Sequence, residues 1–142
     1  MGRVAVLLAI TLAACNATVS DPARPNLGVA NGTTLTVTLV VNGHRAGEFP
    51  AGEPLPTIDT GSLPPLPWKV QALSPSGRIL TTMDVEPGQV RTRTDPGGVV
   101  EQSGTMGRVD LSCGRLTIWA GDVVPSGPAP PSSPGTPGDC VP

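Results

Sequence analysis

Period-two alternation over residues 33–41 constrains this chain more than any other feature of its sequence. Leu35, Val37, Leu39 and Val41 fall on one side of an extended segment, and Thr34, Thr36 and Thr38 fall on the other. A helix would spread those apolar side chains around its axis, whereas a strand gathers them on one face. The run is rich in β-branched residues, which suit a pleated surface. Asn42-Gly43 follows directly, a pair suited to the positive φ angles of a hairpin turn. His44 to Phe49 is the expected partner strand.

The pattern recurs along the chain. Trp68, Val70 and Ala72 alternate with Lys69 and Gln71, and the parity of Trp68 predicts a core position. After Ser74-Pro75-Ser76-Gly77, residues 78–85 put Ile79, Met83 and Val85 on one side, so the two runs predict a hairpin. Gln89 to Thr94 is a polar strand candidate ended by Asp95-Pro96-Gly97-Gly98. Val109, Leu111 and Cys113 alternate, and beyond Gly114 the phase shifts to Leu116, Ile118 and Ala120. A β-bulge at the glycine and a tight turn there both account for the shift. Residues 50–67 hold six prolines and read as a long loop or an edge crossing.

Glycine and proline number 18 each in 142 residues, yet they punctuate the alternating runs instead of diluting them. With two Trp and one Phe, the core must be mostly Val, Leu and Ile. About six to eight short strands with regular turn signals predict an all-β fold, a small β-sandwich. An immunoglobulin-like Greek key is the first expectation for its connectivity and a small β-barrel the second. No run after residue 14 is long and periodic enough to predict a helix.

The N-terminus carries a different signal. Met1-Gly2-Arg3 is a short basic start, and residues 4–14 are apolar apart from Thr11, too short for the about 20 residues of a membrane-spanning helix. The run ends in Leu12-Ala13-Ala14-Cys15, which resembles the lipobox of bacterial lipoproteins. The resemblance covers the first 15 residues and implies cleavage before Cys15, with its thiol linked to diacylglycerol. It implies a cell-membrane anchor on the extracytoplasmic face, held by acyl chains such as palmitate, each buried methylene contributing roughly 0.8 kcal/mol. Val6 stands where a myristoylation pattern wants Ser or Thr. The segment 111–116 and the Cys-ended tail are also similar to uncharacterised lipoproteins of environmental bacteria, a likeness that implies no activity.

If Cys15 carries lipid, the remaining cysteines, Cys113 and Cys140, form a pair suited to an oxidising compartment. The expected organisation is therefore a signal peptide over 1–14, a flexible tether over 15–30, a β-sandwich domain over 31–122 and a Pro/Gly-rich tail over 123–142 clasped by a disulfide. Removing residues 1–14 leaves 8 basic and 11 acidic side chains, with no strong pull on nucleic acid.

Candidate chemistry is sparse. One histidine, His44, is too few for a blue-copper site, and no Cys-x-x-Cys or His-x-x-x-His pair suggests zinc. His44 beside Asn42-Gly43 reads as a solvated turn residue, and no Gly-x-Ser-x-Gly elbow accompanies it. No metal or other cofactor is expected. Asp84 and Glu86 would share a strand face, as paired glycosidase carboxylates do, but Glu86-Pro87-Gly88 is a turn signal. Arg91 and Arg93 share a face without aromatic stacking partners, so they read as a charge row. Trp119 is expected on the face opposite Ile118, as a platform for a sugar or peptide or as a surface covered by the returning tail. Asn16-Ala17-Thr18 and Asn31-Gly32-Thr33 match the glycosylation acceptor pattern, by chance for a bacterial lipoprotein. These observations predict a lipid-anchored, non-catalytic binding or scaffolding module of the cell envelope, with an envelope protein or glycan as partner. An envelope hydrolase using Asp84 and Glu86 is the alternative, and a structural spacer is a third possibility.

Overall fold

The structure is a computed structural model that describes residues 24–52, 57–89, 92–94, 100–102, 104–121 and 135–142. Its strands are β1 (Leu27–Asn31), β2 (Val37–Val41), β3 (His44–Phe49), β4 (Thr57–Ile58), β5 (Trp68–Leu73), β6 (Ile79–Val85), β7 (Thr92–Thr94), β8 (Val100–Gln102), β9 (Thr105–Leu111) and β10 (Gly114–Ala120). A short 3-10 turn at Thr60–Ser62 is the only helical element among the described residues. No helix among them is long and apolar enough to cross a membrane.

Two antiparallel four-stranded sheets enclose the core. The first runs β4-β1-β10-β9 and the second runs β3-β2-β5-β6, with β7 and β8 pairing separately. The fold is thus all-β, with the two-sheet layout of a small β-sandwich. Leu27 and Val29 of β1 and Leu116, Ile118 and Ala120 of β10 meet Val37, Leu39 and Val41 of β2 and Trp68 and Val70 of β5. Burying each such Val or Leu contributes roughly 1.5–3 kcal/mol, so this shared interior is the main stabilising term.

The local expectations are largely met, and each difference has a physical cause. Asn42 and Gly43 adopt φ values of 50° and 83°, which let β2 turn directly into β3. Leu35 is buried in line with Val37, yet β2 starts only at Val37. The reason is local hydrogen bonding: Thr33 N donates to Asn31 Oδ1, and Leu35 N donates to Thr33 Oγ1. Ile79 shares sequence parity with the buried Met83 and Val85 but is 54% exposed. An irregularity in the β5–β6 register, where Ala72 faces Thr81 and Leu73 faces Ile79, turns Leu80 toward the core instead. At Gly114 a tight turn, not a bulge, reverses the chain, since Leu111 pairs with Gly114 across Ser112-Cys113.

The largest difference lies at the domain's start. Residues 27–30, which lack periodicity and read as tether, form most of β1, which pairs with β10 along its whole length. Every β1 residue is buried, so both faces lose contact with water and no polar alternation is required. Arg24 extends the attachment by donating through Nη1 to the carbonyls of Thr60 and Leu63 at 2.8 and 2.7 Å.

Asn31 closes β1 and is fully buried. Its Nδ2 donates to the carbonyls of Leu35, Phe49 and Pro50 at 2.7, 3.0 and 3.0 Å, and its Oδ1 accepts from the Thr33 amide and hydroxyl. One amide thereby ties the first sheet to the crossing loop and to the end of β3 in the second. Asn31→Ala would leave these buried groups unpaired. Destabilisation by about 2–4 kcal/mol is expected in urea unfolding, and a change below about 0.5 kcal/mol would contradict this role.

Candidate functional site

Three of the residues singled out from the sequence, Cys113, Cys140 and Trp119, fall in two regions. One is the β9–β10 turn with the C-terminal tail, and the other is the outer face of the first sheet.

Cys113 sits in the two-residue turn between β9 and β10, and its sulfur is bonded to Cys140. The expected pair is therefore formed. Residues 135–142 bring with them a set of polar contacts. Asp139 accepts from the Ser112 amide at 2.9 Å and from the Ser112 hydroxyl at 2.5 Å. The Cys113 amide donates to Cys140 Sγ at 3.1 Å. Arg78, in the β5–β6 turn, donates to the carbonyls of Asp139 and Val141. The tail thus grips turns from both sheets. The Ser112 hydroxyl bond is the main reason that the Asp139 carboxyl titrates below the ordinary aspartate range, with the Ser112 and Thr136 amides and the Arg78 charge adding to it.

Trp119 lies on the face of β10 opposite Ile118 and Ala120, as strand parity requires, but it is only 3% exposed. Its ring rests on Gly28 of β1, its direct cross-strand partner, where any Cβ would enter the indole. An open platform would need more exposed ring than this. The tail segment 122–134, the other expected cover for Trp119, lies outside the described residues. The two tryptophans differ in their polar atoms. Trp68 Nε1 donates to the Pro64 carbonyl at 2.7 Å, whereas Trp119 Nε1 is buried with no hydrogen-bond partner among the described residues. Burying an indole removes on the order of 200 Å² from water, about 5 kcal/mol, which outweighs the about 1–3 kcal/mol cost of one unpaired donor.

On the same face, Arg115 Nε meets Asp110 Oδ1 at 2.6 Å, and each side chain is 10% exposed. This forked pair did not emerge from the sequence, because the two residues become opposite only once the turn at Ser112-Cys113 is known. A turn length of two is the signal that could have found it.

The remaining candidates are dispersed. Asp84 is exposed on β6 and faces Lys69 of β5 at 3.5 Å. Glu86 lies just beyond β6, exposed, with its amide bonded to the Gln89 side chain. His44 is exposed at the start of β3. Cys15, Asn16 and Arg91 lie outside the described residues, and nothing is described for the Arg93 side chain. Asn31 is closed to modification in the folded chain, because its amide is buried and bonded. Among the described residues, no group of three or more His, Cys, Asp or Glu is placed to hold a metal ion. No family model, curated protein or solved structure matches the chain.

Two tests follow from these contacts. Arg115→Leu strips Asp110 of a buried partner, and unfolding free energy should fall by about 3–5 kcal/mol; an unchanged denaturation midpoint would refute that. A lowered carboxyl pKa means that Asp139 favours the folded clasp at pH above the unfolded value of about 3.9, and this help disappears as pH falls through the folded value. The Ser112 amide resonance should hold steady from pH 7 to 5 and shift only below the ordinary aspartate range. A midpoint at or above 3.9 would count against the hydrogen-bonded carboxylate.

Proposed function

We propose that this protein is a lipid-anchored β-sandwich of the bacterial cell envelope, acting as a non-catalytic binding or scaffolding module. The observation that carries this reading is the Cys113–Cys140 disulfide. Such bonds persist in exported proteins and are rare where thiols are kept reduced. The bond also accounts for two of three cysteines, leaving Cys15 as the one at the lipobox-like Leu12-Ala13-Ala14-Cys15. Export and anchoring are thus supported by features at opposite ends of the chain.

The scaffolding part of the reading is supported by how the polar side chains are used. Asn31, Asp110, Arg115 and Asp139 are each spent on holding the fold or the tail. Asp84 faces a lysine and Glu86 stands beside a turn, which favours a module over a hydrolase using that pair. Trp119, buried against Gly28, favours a part in sealing the first sheet over one as an open platform for a glycan or protein partner. Within the two-sheet fold, an immunoglobulin-like Greek key is supported by β4, which returns beside β1 after the β2–β3 hairpin. The small barrel is supported by the approach of β6 to β9, where a Cβ on Gly107 would lie 3.1 Å from the Thr82 carbonyl oxygen.

The anchor is tested in the native bacterial host or in a bacterium with lipoprotein processing. Full-length protein should sediment with membranes and carry acyl chains on Cys15 by mass spectrometry, and Cys15→Ala should move it to the soluble extracytoplasmic fraction. Unchanged membrane association of the variant would defeat the proposal.

A further inference from the structure

We propose that the Cys113–Cys140 disulfide is a reducible latch. A dithiol opens it on the folded protein and frees residues 135–142 from the β9–β10 turn, while both sheets stay intact. This inference stands on the geometry of the tail and does not require the membrane anchor.

The bond joins the tail to a turn and takes no part in the core. Neither cysteine belongs to the apolar cluster between the sheets, and both are only partly buried. The tail residues described add nothing to that core either. Val141, Pro137 and Pro142 are exposed, and the contacts of Asp139 with Ser112 and of Arg78 with the tail carbonyls all lie at the surface. Hydrogen bonds and charges in water hold a chain end weakly, because solvent offers equivalent partners and the freed end gains entropy. The covalent closure is therefore what keeps these surface contacts together. Without it, Asp139 must find Ser112 as a loose end.

The chemistry has a preferred direction. The attacking thiolate of the dithiol bonds to Cys113 Sγ, and the sulfur–sulfur bond breaks with its electron pair leaving on Cys140 Sγ. That sulfur already accepts from the Cys113 amide at 3.1 Å, a contact that stabilises the departing thiolate. The second thiolate of the reductant then attacks the mixed disulfide and expels Cys113 as a thiolate. Two electrons and two protons pass from the dithiol to the cysteines, and the reductant ends as a disulfide. The Ser112 amide and hydroxyl, the Cys113 amide and Arg78 are returned to water at one place on the surface.

The test uses the oxidised full-length chain in native buffer with dithiothreitol, followed by thiol titration and amide hydrogen exchange. Two further thiols should appear without denaturant. The amides of Ser112 and residues 139 and 141 should then exchange at least about tenfold faster, while those of β2, β5 and β10 keep their protection. Cys140→Ser should show the same pattern without reductant. The latch is overturned if thiols appear only under unfolding conditions, if Ser112 stays protected after reduction or in Cys140→Ser, or if the sheets lose protection along with the tail.

Discussion

The buried amide of Asn31 is the contact on which the joining of the two sheets depends. A sandwich core is non-directional, since apolar faces attract without specifying which strand end meets which. Asn31 supplies direction. Its two N–H hydrogens serve three carbonyls, those of Leu35, Phe49 and Pro50, so one hydrogen is shared. Its oxygen holds the Thr33 turn that carries the chain from β1 across to β2. A buried amide with every group paired specifies one arrangement, and one with any group unpaired would oppose it.

The absence of a side chain at two glycines lets the rest of the first sheet form around that contact. Gly28 leaves room for the Trp119 ring directly on β1, and the ring in turn seals the outer side of the β1–β10 pair. Gly114, at φ 130°, brings the start of β10 against the carbonyl of Gly32, immediately after Asn31. The Gly32 amide donates to the Arg115 carbonyl at 2.8 Å, continuing the β1–β10 ladder past its end. The β9–β10 turn that this geometry places carries Ser112 and Cys113, the points where the tail attaches. Core, turn and tail are thus linked through a few residues of β1 and β10.

The polar groups of the domain fall into two energetic classes. Asn31, Asp110 and Arg115 are shielded from water, where losing one partner leaves the other with a desolvation penalty. Asp139, Arg78, Asp84 and Lys69 stand at the surface, where water replaces a lost partner. The first class holds the sheets. Within the second, Asp139 and Arg78 act where the chain end is held by sulfur, which is why tail and domain can separate without a shared loss of structure.

Much of the domain was legible from residue order alone. Alternation marked β2 and β5, Asn42-Gly43 marked the β2–β3 turn, Ser74-Pro75-Ser76-Gly77 marked the β5–β6 turn, and cysteine parity marked Cys113 with Cys140. These features are local, or follow from counting, so sequence suffices for them. Tertiary structure decided what depends on a second surface. Leu27–Asn31 is a strand because neighbours bury both of its faces, which removes the alternation that would have announced it. Strand parity placed Trp119 opposite Ile118, but its burial depends on what lies across that face. The Asp110–Arg115 pair and the Asn31 clasp join groups brought together only by the register of antiparallel strands and by the crossing between sheets. Periodicity reports which way a side chain points; only packing decides what it meets.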